Sequence, residues 1–194
     1  MRTPRKQTAG FTLLEVLVSL LILVIGLLGL IGMQAHAQIA AFESYQRGQA
    51  LIIVQDMADR LATNRGAAAC YDLATVGAAY LGTGYAGTPV CAAAAGTAAT
   101  RAVADADLQA WNNALQGAAE VSGGANIGGL LGARGCITYT AATNSYRISV
   151  AWQGMAQTVA PTAGDASATC GLNLYGAETQ RREVSTTIRI ASLT

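Results

Sequence analysis

From Phe11 to Ala35 the chain reads FTLLEVLVSLLILVIGLLGLIGMQA, an apolar run with few polar interruptions. Between Val16 and Ala35 no residue carries charge, which meets the roughly 20-residue length needed to cross a bilayer's hydrocarbon core. Beyond it the pattern becomes one-sided. No proline occurs over residues 34–63, and Ala50, Val54, Met57 and Leu61 recur at helical spacing. Glu43 with Arg47, and Asp56 with Arg60, are acid-to-base pairs four apart, the favourable order on a helix surface. Asn64-Arg65-Gly66 supplies a stop, with Gly66 able to take the left-handed cap conformation. One helix is expected over 11–64, about 54 residues and about 80 Å long at a rise of about 1.5 Å per residue.

Residues 66–100 are rich in Gly, Ala and Thr without periodicity and read as a long loop. Residues 105–118 (DADLQAWNNALQGA) predict a short helix with Leu108, Trp111 and Leu115 on one face, where Trp111 serves packing. Alternation predicts strands over 136–140, over 146–152 with Ile148, Val150 and Trp152 on one face, and over 183–190 through Val184, Thr186, Ile188 and Ile190. A turn at 142–145 makes the first two a hairpin, and 161–176 reads as a loop tethered by Cys170. The fold class is α+β, with the helix stripe buried on the inner face of a small antiparallel sheet.

Charge gives this pattern a direction. Arg2, Arg5 and Lys6 precede the apolar run with no acid among them, so the amino end stays cytoplasmic and the remainder is exported. Charged residues are only 12% of the chain and the net charge is +1. Past the first six positions the basic residues are scattered, which argues against a nucleic-acid partner. The four cysteines, Cys70, Cys91, Cys136 and Cys170, all follow the apolar segment. None forms a CxxC pair and the only histidine, His36, lies far off in sequence, so a zinc site is not expected. His36 reads as a polar residue at the outer membrane boundary. An even cysteine count on the exported side reads as two disulfides. Three pairings are open for four cysteines, and the sequential one, Cys70–Cys91 with Cys136–Cys170, is the expectation.

An ordinary signal peptide has an apolar stretch of about 7–15 residues, shorter than this one, although Ala35-His36-Ala37 has the look of its cleavage site. A plain single-pass anchor explains length and orientation but not Glu15. A carboxylate one turn inside an apolar helix costs several kcal/mol in lipid unless it is partnered. Arg2, Arg5 and Lys6 are its nearest cations in sequence, and all precede Gly10. A cut between Gly10 and Phe11 would create an α-amino group four residues before Glu15. Such an amine on a neighbouring chain can neutralise the carboxylate when helices pack side by side. The cut also leaves 12 − 3 = 9 basic side chains against 11 acidic ones.

The stretch Gly10-Phe11-Thr12-Leu13-Leu14-Glu15 resembles the prepilin processing site of type IV pilins and type II secretion pseudopilins. The resemblance covers about the first 35 residues strongly. It implies that a prepilin peptidase cuts after Gly10, that the same enzyme methylates the amine of Phe11, and that Glu15 is the carboxylate needed for assembly. The runs Glu15-Val16-Leu17-Val18-Ser19 and Gly26-Leu27-Leu28-Gly29-Leu30 are similar to those of PilV-type minor pilins, though minor pseudopilins start almost identically. Gly26, Gly29 and Gly32 stand where major pilins often carry a proline; three-residue spacing puts them near one face, where helices approach closely.

The resemblance implies a type IV pilin fold and this organisation: a cleaved leader over 1–10, a transmembrane and filament-core helix over 11–35, its amphipathic continuation over 36–65, and an exported globular domain over 66–194. It implies as partners other minor and major pilins, the prepilin peptidase/methyltransferase and the inner-membrane assembly platform. The chain would sit in the inner membrane before assembly and in the pilus, near its tip, afterwards. No cofactor, metal or catalytic residue is expected. A single histidine removes Ser-His-Asp and Cys-His arrangements. Asp105, Asp107 and Glu120 read as a solvated helix face rather than a carboxylate pair. The formal GxGxxG at Gly82, Gly84 and Gly87 is followed by Thr88-Pro89, with no helix opening to receive a phosphate. Two alternatives compete: a minor pseudopilin of a type II secretion system, and a membrane-anchored binding domain that never polymerises.

Overall fold

The computed structural model describes residues 10–191 apart from 93 and 127. It holds two compact units, one running to Phe42 and one beginning at Glu43. The first helix, α1 (Leu13–Thr63, 51 residues), supplies all the described helical structure of the first unit and the opening of the second. Its start is capped: Thr12 Oγ1 accepts from Glu15 N at 3.3 Å, and Glu15 places an acid in the first turn, where the helix dipole favours one. In the first unit the described side chains are exposed, Leu13 to Met33 among them. Among the described residues α1 alone is long and apolar enough to cross a membrane.

From Glu43 onward α1 is amphipathic and buries Gln46, Ala50, Val54, Met57, Ala58 and Leu61. It ends at Thr63, where Arg65 Nε donates to Ala62 O at 2.9 Å and satisfies a terminal carbonyl. The expected left-handed cap at Gly66 does not form. Gly66 lies inside a 3₁₀ helix, Arg65–Tyr71, which turns the chain without a positive φ there. The expected Glu43–Arg47 pair is also replaced: Glu43 Oε1 meets Arg182 NH2 at 3.2 Å, and the half-buried Arg182 offers a less solvated partner than the exposed Arg47.

The segment over 66–100 is more ordered than a loop. After the 3₁₀ helix come α2 (Leu73–Val76), capped by Asp72 and by Gly77 at φ 74°, and β1 (Leu81–Gly82). Periodicity missed these turns because they bury the small residues Ala67 and Ala68 beside Tyr71 and Leu73. Next, α3 (Ala98–Leu115) starts seven residues before the expected 105. Its cap is a reciprocal box in which Thr97 Oγ1 accepts from Thr100 N at 3.2 Å and Thr100 Oγ1 accepts from Thr97 N at 2.8 Å. The alanines of its first turns carry no apolar contrast, so the pattern became visible only from Asp105 on.

A small hairpin, β2 (Val121–Ser122) with β3 (Ala125–Asn126), precedes the main strands β4 (Arg134–Thr140) and β5 (Ser145–Gln153). After β5 come a short helix α4 (Pro161–Gly164) and β6 (Arg181–Arg189). The four-stranded antiparallel sheet has the order β1-β4-β5-β6. Its inner face brings Ile137, Tyr146, Ile148, Val150 and Trp152 into one core with the α1 stripe and with Leu108, Trp111 and Leu115 of α3. Trp111 Nε1 donates to Ile53 O at 2.9 Å, joining α3 to α1. Gly135 makes this possible, since a Cβ there would lie 2.3 Å from the Trp111 ring.

The sheet's outer face is covered too. Residues 165–176 lie over it, held by the Cys136–Cys170 disulfide and by Tyr175, whose hydroxyl lies 2.9 Å from both Gly132 O and Ala151 O. This is why β5 buries residues on both faces where simple alternation foresaw one. Beneath this segment Arg181 is fully buried. It donates to Glu178 Oε2 at 2.7 Å, Glu183 Oε2 at 2.6 Å, Ala168 O at 2.9 Å and Cys170 O at 3.1 Å.

Candidate processing and assembly site

The described residues singled out for chemistry at the amino end, Gly10, Phe11 and Glu15, lie within six positions and are exposed. Gly10 is exposed and precedes the helix, Phe11 is 84% exposed, and helical structure begins at Leu13. The Gly10-Phe11 bond is exposed and lies outside the helix, so its backbone groups are not occupied by the helical hydrogen-bond ladder. Arg2, Arg5 and Lys6, the basic part of the leader, lie outside the described residues.

Glu15 is exposed in the first helical turn. Its backbone N–H is taken by Thr12, through the carbonyl at 3.1 Å and the hydroxyl at 3.3 Å, while among the described residues no cation lies within ion-pair distance of its carboxylate. The backbone of Glu15 is therefore fixed at the helix start, while among the described residues its exposed carboxylate has no partner. Thr12 is a site residue that the sequence reading passed over. Its signal was present, since Thr12-x-x-Glu15 is the spacing of a capping box.

The other residues weighed for chemistry serve the fold of the second unit. Disulfides join Cys70 to Cys91 and Cys136 to Cys170. Asp105 Oδ1 accepts from Cys91 N at 2.6 Å, fastening the first disulfide to α3. Asp107 is not the solvated acid that its helical position suggested. It accepts from Arg60 NH1 at 2.9 Å and from the Tyr71 hydroxyl at 2.6 Å, and Asn64 Nδ2 reaches Tyr71 at 3.2 Å. Burial first, and then Asp107, push the Tyr71 phenol well above its usual range, so it stays a proton donor. This network clamps the end of α1 to α3 through groups that are all spoken for. Glu120 is exposed and His36 is exposed on α1. Gly82 and Gly84 have φ of 98° and 89° at the sheet edge; a Cβ on Gly82 would lie 2.4 Å from Ala133 O, so its glycine serves close backbone approach. Among the described residues no group of three His, Cys, Asp or Glu is placed to hold a metal.

Against known protein families, residues 5–31 match the model described as the prokaryotic N-terminal methylation motif. No curated protein and no solved structure matches the chain significantly. The match spans the Gly10-Phe11 junction, Glu15 and most of the uncharged run, and it supports a type IV pilin or pseudopilin, processed by prepilin peptidase and anchored in a membrane by its apolar helix. The long helix packed on a four-stranded antiparallel sheet agrees with an α+β pilin fold.

Proposed function

We propose that the chain is a minor pilin of the PilV type, a subunit that takes part in starting or modifying a type IV pilus. A single observation carries this reading: a free carboxylate, Glu15, stands one turn inside an exposed apolar helix and four residues after a Gly-Phe junction. In this reading the leader over 1–10 is removed after Gly10 and Phe11 becomes the methylated amino terminus. The helix over 11–35 lies first in the inner membrane and then in the filament core, 36–65 continues it, and 66–194 faces the exported side. The Glu15 carboxylate is neutralised by the Phe11 amine of an adjoining subunit. That exchange matters because an unpaired carboxylate in an apolar bundle costs several kcal/mol. By the same reading, major pilins, other minor pilins and the assembly platform are the partners, in support of motility, adhesion or DNA uptake.

The test has two arms. Mass spectrometry of the chain from a piliated cell should show an amino terminus at methylated Phe11. Glu15→Ala should leave the chain processed in the membrane but absent from sheared filaments. An intact leader sinks the family reading. A processed Glu15→Ala chain found in filaments at the normal level sinks the role given to the carboxylate. A processed chain that enters a short periplasmic fibre and never a surface pilus makes it a secretion pseudopilin instead.

A further inference from the structure

β6 is one of the two edge strands of the four-stranded sheet, β1 being the other. Two bonds fix which of its backbone groups are already used. Ile190 N donates to Asn144 O at 3.2 Å and Gly154 N donates to Gln180 O at 2.8 Å. The register between them is unbroken, so every second residue of β6 exchanges both backbone bonds with β5. Those residues are Arg182, Val184, Thr186 and Ile188, opposite Trp152, Val150, Ile148 and Tyr146. The N–H and C=O groups of Glu183, Ser185, Thr187 and Arg189 therefore point away from β5, and among the described residues no backbone hydrogen bond takes them up.

The side chains along this edge say what would fit there. Val184 and Ile188 lie on the inner face and are only half-buried, whereas Val150 and Ile148 of the adjacent strand are 0% exposed. They pack against the core without being closed over, and α4 also touches β6. On the outer face Ser185, Thr187 and Arg189 are exposed. Arg189 donates to Thr143 O at 3.2 Å, and among the described residues no carboxylate lies within ion-pair distance of it. A second copy of β6 laid antiparallel about Thr186 would match Val184 with Ile188 and Glu183 with Arg189. Yet the Glu183 side chain is 3% exposed and bonded to Arg181 at 2.6 Å, so it cannot answer the copy's Arg189. A copy would bring a second unpaired cation to the seam.

We propose that the free edge of β6 accepts an extended segment of a different polypeptide, apolar where it faces Val184 and Ile188 and acidic opposite Arg189. Backbone bonds from Ser185 and Thr187 give such a segment its affinity, and the alternate side chains give it its selectivity. The inference rests on strand register and not on the Glu15 reading, so either can fail without the other.

The test uses the full chain in detergent micelles and a synthetic nine-residue peptide that alternates valine and threonine and ends in glutamate. Amide hydrogen exchange is read residue by residue. In the dilute free chain Thr186 and Ile188 should exchange slowly, and Ser185 and Thr187 fast. Saturating peptide should slow Ser185 and Thr187 by at least about tenfold, the worth of one added bond. The same peptide N-methylated on its inward amides should not. Thr187→Pro removes an edge donor and no bond to β5, so it should weaken peptide binding about tenfold with Thr186 still protected. The proposal is overturned by equal protection from the N-methylated peptide, or by no protection of Ser185 and Thr187 at saturation. It is overturned equally by protection that grows with chain concentration alone, which makes a second copy the occupant, or by slow exchange at Thr187 in the dilute free chain.

Discussion

Arg181 is the residue whose loss should cost the second unit most for a single polar change. In Arg181→Met the stem is replaced by an apolar chain of similar reach and the guanidinium disappears. Glu183, 3% exposed, is left without the cation 2.6 Å away, and the carbonyls of Ala168 and Cys170 lose their donors. Glu178, 24% exposed, can turn to water at little cost. Removing one partner of a buried pair destabilises by about 3–5 kcal/mol, which for a domain of this size lowers Tm by roughly 10 °C. Burial already holds the Glu183 carboxyl above its usual range, with Arg181 pulling the other way. Without Arg181 it rises further. A raised carboxyl favours the fold when protonated, so that stability is present in acid and lost as pH rises through the folded value. The variant's deficit should therefore be largest at neutral pH and shrink towards pH 4.5 and below. Adding Glu183→Gln should recover much of it. Near-UV circular dichroism melts of the full chain in micelles, with disulfides oxidised, measure all three proteins. An Arg181→Met chain that melts within about 2 °C of the parent, equivalent to under about 1 kcal/mol, would refute the claim that this pair holds the outer cover to the sheet.

Other consequences can be measured on the same preparation. Replacing Cys70 and Cys91 together by serine opens a link spanning 21 residues, and denaturant titration should show a loss of about 3 kcal/mol. Trp111→Phe keeps the ring in the core but removes the second donor to Ile53 O, which keeps its bond within α1, for a loss of about 1 kcal/mol by the same assay. Thr97→Ala removes the cap of α3 and should cost about 1 kcal/mol, with faster amide exchange in the first turn of that helix. The Asp165 carboxyl is held down to about 2, first by the Ser167 hydroxyl and backbone and then by Arg147. Its depressed value favours the fold above the usual carboxylate range and ceases to as pH falls through about 2. NMR titration should show Ser167→Ala raising that midpoint more than Arg147→Ala does.

What could be read from the chain was what neighbouring residues decide. Gly10, Phe11 and Glu15 stand within one short stretch, and α1 is a long segment without proline. The three main strands showed through because period-two alternation survives in 136–140, 146–152 and 183–190, although each begins one or two residues earlier. The rest depended on partners far away in sequence. Glu43 found Arg182 and Asp107 found Tyr71, pairings that no local pattern announces. Small residues hid the remainder. Gly135 conceals the start of β4 because its role is to make room for Trp111, and the alanines of 98–104 and 67–68 pack by fitting closely and show no stripe. Thr12 was legible by its spacing from Glu15 and was obscured by the apolar residues around it.

The order of the two disulfides along the chain has its own consequence. Neither bridge encloses a cysteine of the other, since one closes between 70 and 91 and the next between 136 and 170. On the topology proposed above, a polypeptide threaded through a membrane behind its apolar helix would present Cys70 and Cys91 to the oxidising side while Cys136 and Cys170 are still behind. The earliest pair to meet an oxidant is thus also the correct pair, and the later two thiols arrive with only each other to join. Vectorial delivery can sort four thiols without reshuffling any of them.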